Sequence, residues 1–211
     1  MSITLSREGN SKIEIKQSVF IGRAMRIHTP EEAAGFIAEE RAKYPDARHS
    51  CYAWKLTSGT NMQKYSDDGE PSGTAGMPLL SLITKPDLTD CAVVVTRYFG
   101  GILLGKGGLV RAYTDAGAQA IKDANPVRLE EGTAFEISCA YPDYDRILFE
   151  LTKRGYSVEN TDFGESVKIT AVTKTKEEAV FVKLLADLSS GKIVPEKVGA
   201  REIVAEELTD F

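Results

Sequence analysis

The segment Cys91-Ala-Val-Val-Val-Thr96 is the stretch of this sequence that says most about the fold. It is apolar at both odd and even positions, whereas a strand with one face in water alternates apolar and polar side chains. We therefore expect a central β-strand covered on both sides. A glycine-rich stretch follows, and Leu109–Ala124 then has apolar residues at helical spacing. The apolar face of this helix carries Leu109, Tyr113, Ala116 and Ala120.

Further elements are expected on the N-terminal side of this strand. Ile13–Ile27 reads as one long or two short strands. In Thr29-Pro-Glu-Glu32, proline and glutamate stand where the first turn of a helix favours them. The other expected elements are a helix up to about Tyr44, a strand over His49–Thr57, and a strand over Asn61–Ser66 that pairs with it across Ser58–Thr60.

The C-terminal part of the chain has the element order β-α-β-β-α-β, which is the ferredoxin-like arrangement. Its second helix is expected to begin with a capping box at Thr175-Lys-Glu-Glu178, in which Thr175 accepts from a helical amide and Glu178 reaches back. The expected strands are Thr133–Ala140, Tyr156–Thr161, Ser166–Val172 and Arg201–Glu206, and the expected first helix is Asp143–Arg154.

The stretch Ala124–Gly132 is the best boundary between two domains, because an Asn-Pro turn signal is followed there by charged residues and a glycine. A cut after Glu130 gives domains 1–130 and 131–211. The 211 residues carry a net charge of −5, and the cut divides it unevenly. Residues 1–130 hold 16 basic and 15 acidic residues, net +1, whereas residues 131–211 hold 10 and 16, net −6. The acidity therefore belongs to the second domain.

Composition excludes several classes of protein. No run of about 18 apolar residues is present, so we expect no transmembrane helix and no membrane partner. The first residues lack the basic and apolar stretches of a secretory signal. Cys51, Cys91 and Cys139 are odd in number and lack metal-ligand spacing, which indicates buried, reduced thiols. These features together predict a cytoplasmic protein without a cofactor.

Glycines and positive charges concentrate in the centre of the sequence. Eight of the 18 glycines fall between Gly69 and Gly108, and Cys91–Thr114 contains no acidic residue. A buried strand, a glycine loop and a helix start together favour anion binding, since backbone amides and the helix dipole point at the ligand. The residues expected to bind phosphate or nucleic acid are Arg97, Tyr98, Gly100, Gly101, Gly105, Lys106, Gly107, Gly108 and Arg111.

Known phosphate-binding loops fit this segment poorly. Gly100–Lys106 matches the start of a Walker A motif, but Gly107 stands where Ser or Thr would bind Mg²⁺. Gly105–Gly108 matches the short GxxG of KH domains without their flanking helices. The alternative is a tight strand-to-helix connection in which the glycines allow close packing, with Tyr98 and Phe99 in the core.

Asp67, Asp68 and Glu70 form a carboxylate cluster on a Gly/Pro loop and are weak candidates for a metal site. Solvated turn residues are the alternative, and no metal is expected. His49 and Cys51 lie on one face of a strand, roughly 6–7 Å apart by the rise per residue, which is too far for a direct hydrogen bond. No catalytic residue follows from the sequence.

Three motifs of this chain closely resemble signatures of the IMPACT/YigZ family, also called UPF0029. They are Arg48-His-Ser-Cys-Tyr-Ala53, Asp67-Asp-Gly-Glu-Pro-Ser-Gly-Thr-Ala-Gly76 with Pro78, and Val94-Val-Thr-Arg-Tyr-Phe-Gly-Gly-Ile-Leu-Leu-Gly105. The resemblance covers essentially the whole chain in the bacterial two-domain form. The family-motif loop positions that match are Asp67, Asp68, Gly69, Glu70, Pro71, Gly73, Thr74 and Gly76, together with Arg97, Gly100, Gly101 and Gly105.

The resemblance implies an N-terminal left-handed βαβ fold, shared with a small-subunit ribosomal protein, domain IV of elongation factor G and GHMP kinases. It also implies a C-terminal ferredoxin-like domain similar to domain V of elongation factor G. Eukaryotic members of the family regulate translation under starvation by competing for a ribosome-associated activator of an initiation-factor kinase. An additional RWD domain makes much of that contact, so this partner does not carry over to the present chain.

Three functional hypotheses follow. The first is a cytoplasmic protein that binds nucleic acid, specifically RNA or the ribosome, with a role in regulating translation. The second is a divalent-metal-assisted phosphotransferase or hydrolase that acts on a phosphorylated small molecule. The third is binding of a translation factor or other protein through the acidic second domain. The first two both depend on whether the 67–78 and 97–108 loops meet at one cleft.

Overall fold

The computed structural model describes residues 2–57 and 61–208, which form two compact units. The first unit comprises Ser2–Arg128 together with residues 206–208, and the second comprises Leu129–Ala205. The expected domain boundary after Glu130 stays a prediction. The expected turn at Ser58–Thr60 lies outside the described residues.

The elements in chain order are β1 (Ser2–Leu5), β2 (Gly9–Ile15), β3 (Ser18–Arg26), α1 (Pro30–Lys43), β4 (His49–Leu56), β5 (Met62–Ser66), α2 (Gly76–Thr84), β6 (Cys91–Tyr98), α3 (Gly105–Asp123), β7 (Pro126–Cys139), α4 (Tyr141–Lys153), β8 (Ser157–Phe163), β9 (Val167–Lys174), α5 (Glu178–Ser189) and β10 (Glu196–Glu207).

The sheet of the first unit is antiparallel throughout, with the strand order β2-β3-β6-β4-β5. Its middle strand is β6, and residues 91–97 of that strand are all buried, which confirms the central strand expected from the sequence. Val93 and Val95 pack into the core under α2 and α3. Ala92 and Val94 pack on the other face with residues of α1. The sheet is therefore covered on both sides by helices.

Two elements of this unit add detail to the expectation. Ile13–Ile27 forms two strands, because Lys16 and Gln17 make a two-residue turn in which both φ angles are positive, 46° and 65°. Such turns normally contain Asn or Gly, so the sequence carries no signal for this one. The helix α1 begins as expected: the Thr29 hydroxyl accepts from the Glu32 amide at 3.1 Å, and Pro30 occupies the first turn.

Helix α2 is not predicted from the sequence, because Gly76, Pro78 and the glycines before them read as a loop. In the structure, its residues Leu79, Leu80 and Ile83 are buried in the main core. Gly117 of α3 allows α2 to approach closely, since a Cβ atom at that position would lie 2.6 Å from Leu79 Cδ2.

The second unit has the predicted element order β-α-β-β-α-β, which is the ferredoxin-like arrangement. In its sheet β7 pairs with both β9 and β10, and β9 pairs with β8. The chain is thus of α+β class with two domains. The likeness to particular elongation factor domains stays an expectation. Strand β7 begins at Pro126, seven residues earlier than expected. Helix α4 is followed by Gly155 at φ 78°. The core of this unit contains Phe135, Ile137, Ile147, Leu151, Phe181 and Leu185.

The predicted capping box at Thr175–Glu178 is wrong. Strand β9 continues to Lys174, so Thr175–Glu177 forms a 3₁₀ turn, and α5 begins only at Glu178 without a side-chain cap. The Glu178 carboxylate instead accepts from the Thr133 hydroxyl at 2.6 Å and pairs with Lys197. Hydrogen bonds from Lys197 and then Thr133 lower the pKa of Glu178. Glu178 therefore connects α5 to strands β7 and β10.

All three cysteines are free and buried, as expected from their spacing. Burial raises the pKa of the Cys51, Cys91 and Cys139 thiols, so each stays protonated at neutral pH. Along the described ranges, no helix is long and apolar enough to cross a membrane.

Candidate functional site

Asp67 organises the loop that leads into α2. Its carboxylate accepts backbone N–H groups of Gly73 and Ala75, both at 2.9 Å, and of Gly76 at 2.8 Å. Partial burial opposes ionisation, but the hydrogen bonds from these amides outweigh it and lower the pKa of Asp67. Asp67 therefore caps the amides at the start of α2 and has few lone pairs left for a ligand.

Asp68 joins this loop to α1 and β4. Its carboxylate accepts from Arg41 Nη2 at 2.6 Å and from the Ser50 amide at 2.7 Å. Its carbonyl oxygen lies 2.9 Å from His49 Nδ1. Because a carbonyl oxygen can only accept, His49 Nδ1 is the donor of this hydrogen bond. The loop reaches this position with Asp68 and Gly69 both at positive φ, 43° and 86°.

Glu70 and Arg97 form a buried ion pair between the two motif loops. Arg97 Nη1 lies 2.7 Å from Glu70 Oε1, and the Tyr113 hydroxyl donates to the same oxygen at 2.8 Å. Burial raises the pKa of Tyr113, so the phenol stays protonated as this donor. The Arg97 guanidinium lies 5.4 Å from the centroid of the Phe99 ring, close enough for a cation–π contact. Glu70 and Arg97 thus neutralise each other inside the protein.

The two motif loops meet at one cleft of about 400 Å³. The 67–78 loop contributes Glu70 and Pro71, and most of the remaining wall comes from residues 97–109. Two exposed cations, Arg48 and Lys106, stand at this cleft, and neither pairs with a carboxylate within residues 2–57 and 61–208. With the Glu70–Arg97 pair balanced, the cleft carries excess positive charge. Its lining residues are Arg48, His49, Glu70, Pro71, Arg97, Phe99, Leu103, Leu104, Gly105, Lys106 and Leu109.

The glycines of the 97–108 segment have different roles from those expected. The sequence predicts Gly105–Gly108 as loop, but these residues form the first turn of α3, which begins four residues before Leu109. This turn has no acidic residue and no side-chain cap. Gly100 packs against the β2–β3 turn, since a Cβ there would lie 2.1 Å from the Gln17 carbonyl carbon. Positions 101, 105 and 107 face open space instead: no atom lies within 4 Å of where a Cβ would stand.

Three predicted binding residues do not serve as free ligands of this cleft. Tyr98 lies on the opposite face of β6 from Arg97, because side chains alternate along a strand, and it packs edge-on against Tyr44 at 6.3 Å. Arg111 is exposed on α3 but does not line the cleft. Arg97 lines it, yet its charge is already paired with Glu70.

Sequence reasoning misses Arg48, His49, Phe99 and Leu103 as residues of the site. Arg48 and His49 stand in the first family motif, so a signal for them is present. The alternative given above for the glycine-rich segment places Phe99 in the core, whereas Phe99 is 52% exposed. No local signal marks Leu103, since an apolar residue in a loop normally indicates packing.

The three carboxylates do not form a metal site. Asp67, Asp68 and Glu70 are each bound to different protein donors. Across the described part of the chain, no group of three or more His, Cys, Asp or Glu side chains is arranged to hold a metal ion. Cys51 and His49 also bind separate groups, the carbonyl oxygens of Asp67 and Asp68, both at 2.9 Å.

A larger groove of about 680 Å³ lies between α1 and strands β4 and β5. It is lined by Ala34, Ile37, Trp54 and Met62 among others, and it contains no residue of the two glycine-rich loops. The smaller cleft is therefore the candidate site, because the motif residues converge there.

The fold is that of a two-domain α+β protein. Comparison with known proteins finds a matching family model for each half of the chain. The sequence model of the Impact N-terminal domain matches residues 16–121, and a domain of unknown function, DUF1949, matches residues 137–192. IMPACT family member YvyE of Bacillus subtilis is 34% identical, with 90% of this chain and 87% of the relative covered. IMPACT family member YigZ of Escherichia coli is 36% identical, with 85% and 89% covered. The chain belongs to the IMPACT family.

A solved structure is similar to this chain over most of its length. The crystal structure described as that of a hypothetical protein is 32% identical, covers 94% of this chain and 97% of its own, and has a TM-score of 0.58. The shorter match to Protein IMPACT of Danio rerio, 32% identical over 108 residues, covers 49% of this chain and 33% of that protein.

Proposed function

We propose that this protein binds single-stranded RNA, free or on the ribosome, through the cleft between its two motif loops, and that it acts in the regulation of translation. The observation that carries the proposal is that Arg48 and Lys106, which pair with no carboxylate of the described residues, lie beside apolar side chains in one cleft. The phosphates of an RNA can pair with such cations, and the bases of the RNA can stack on the apolar side chains. Membership of a family known for translation regulation supports the cellular role.

Electrostatics favour an anion in this cleft. Helix α3 begins there with Gly105, and its first turn carries no acidic residue and no capping side chain. The amides of that turn and the helix dipole therefore present partial positive charge to the cleft. The net charge of −5 does not oppose binding, because the acidic excess lies in the second part of the sequence. Reduced, buried cysteines are what a protein of the cytoplasm would have.

Binding of rRNA fragments, tRNA and a single-stranded oligouridine, measured by fluorescence anisotropy between about 50 and 200 mM salt, tests the proposal. We expect Arg48→Ala and Lys106→Ala each to weaken binding several-fold and to lower the salt slope by about one. Because both side chains are exposed and have no carboxylate partner in the part of the chain that the structure describes, the free energy of unfolding should stay within about 0.5 kcal/mol of wild type.

Lys122→Ala is the matched control, since it removes the same charge from the other end of α3. It should leave binding close to wild type. Absence of binding to every RNA, or an equal loss in Lys122→Ala and Lys106→Ala, would overturn the proposal. No observation favours the metal-assisted enzyme, since each of its candidate ligands has a protein partner.

A further inference from the structure

We infer that the cleft holds one unpaired nucleotide, with its base against Phe99 and its phosphate at the start of α3. This inference rests on the proposed function and specifies the chemical unit that the site recognises, a nucleoside monophosphate. The same unit can come from a single-stranded RNA or from a free nucleotide, and the experiment below separates these two sources.

The base is assigned to the apolar half of the cleft. One face of the Phe99 ring is covered by the Arg97 guanidinium at 5.4 Å, and the side chain is still 52% exposed. Leu103 also lines the cleft and is 82% exposed. An aromatic base between these side chains would stack on Phe99 and cover the apolar surface of both.

The phosphate is assigned to the polar half. Lys106 and Arg48 are exposed there and unpaired within the described residues, and α3 presents its first amides beside them. Gly105 is at φ 70° and leaves open space where a side chain would stand, so a ligand can approach the backbone. His49 also lines this cleft.

A second, independent feature of the cleft points to a ligand. Arg97 is only 6% exposed, and its Nε atom has no hydrogen-bond partner although it is buried. Buried donors in proteins are nearly always paired. Its other donors bind Glu70 and Ser18, and its guanidinium lies under Phe99, the ring on which the base would stack. Arg97 lines the cleft, so a polar ligand atom that reaches Nε would give this donor, which has no partner among the described residues, a hydrogen bond.

The size of the cleft limits the ligand. A volume of about 400 Å³ falls in the lower part of the range of roughly 300–1,000 Å³ found for small-molecule sites. One nucleotide fits such a space, whereas a base pair inside a duplex cannot enter it without leaving the stack. The site should therefore discriminate against double-stranded RNA.

The test uses the full-length protein and an oligouridine with one central 2-aminopurine, whose fluorescence reports stacking. We expect binding to change this fluorescence. The same oligomer paired with its complementary strand should bind much more weakly. Phe99→Ala should weaken binding about tenfold, the order found for loss of one stacked base. Ile102→Ala is the matched control, because Ile102 is an exposed apolar residue of the same loop that does not line the cleft.

A second oligomer carries an abasic site in place of the 2-aminopurine. If Phe99→Ala and wild type bind this oligomer equally, Phe99 stacks on that base. If both proteins bind the intact oligomer equally well, the nucleotide inference is overturned while the RNA proposal stands. If no oligomer binds, but titration with AMP or UMP gives a Phe99-dependent isotherm, the nucleotide site stands and RNA is not its source. If neither binds, both are overturned.

Discussion

The two motif loops are both rich in glycine, yet they use their charged residues in opposite ways. In the 67–76 loop every carboxylate has a partner within the protein: Asp67 caps α2, Asp68 binds Arg41 and the Ser50 amide, and Glu70 binds Arg97. In the 99–108 segment Lys106 has no such partner among the described residues, and Phe99 and Leu103 are exposed. The charged residues of the 67–76 loop therefore stabilise the structure, whereas Lys106 remains available to bind a ligand.

This difference follows from the physical cost of burying polar groups. A carboxylate removed from water must be hydrogen-bonded or paired with a cation. Each carboxylate of the 67–76 loop therefore has such a partner in the protein. The second segment stays at the surface, where an unpaired cation costs little. We therefore expect substitutions in the first loop to reduce stability and substitutions in the second to reduce binding.

The largest effect is expected for Glu70→Gln. This change leaves the buried Arg97 without its counter-charge, and breaking such a pair typically costs about 3–5 kcal/mol. Urea unfolding measures the free energy. The control is Asp143→Asn, which breaks the exposed pair with Arg146 and should cost about 0.5 kcal/mol or less. Similar losses in the two variants would show that Glu70 is not a structural residue.

Asp67→Asn should have an intermediate effect. Loss of a charged acceptor at the start of α2 should lower the free energy of unfolding by about 1–2 kcal/mol at neutral pH. Because the folded-state pKa of Asp67 is lowered, its stabilisation is present above the unfolded-state pKa of about 3.9 and is lost as the pH falls through the folded-state value. Urea unfolding from pH 7 to 3 should therefore show wild type and variant converging at low pH. A constant difference contradicts this role.

The smallest effect is expected for Gly107→Ala in the second segment. Position 107 is helical, and no atom lies within 4 Å of where the alanine Cβ would stand, so alanine should stabilise the protein by up to about 1 kcal/mol. Gly100→Ala is the contrasting variant and should destabilise, because its Cβ would lie 2.1 Å from the Gln17 backbone. Thermal melting compares the two. A lower melting temperature for Gly107→Ala would mean that this glycine is structural.

Local sequence signals predict much of the fold but little of the candidate site. Strand β6 and the apolar face of α3 follow from periodicity, and both are present. The start of α3 and the whole of α2 escape prediction, because glycines indicate loops. In both cases the helix is stabilised by packing of Leu79, Leu109 and Tyr113 in the main core, which outweighs the low helix propensity of glycine.

The sequence by itself determined three features: the glycine-rich centre, the acid-free segment with Arg97 and Lys106, and the motifs that mark the IMPACT family. Only the tertiary structure decided which of these charges remain free. Glu70 and Arg97 are 27 positions apart in sequence and 2.7 Å apart in space, so their mutual neutralisation depends on how β6 meets the 67–76 loop. The same folding leaves Arg48 and Lys106 unpaired at one cleft, because neither has a described carboxylate within reach.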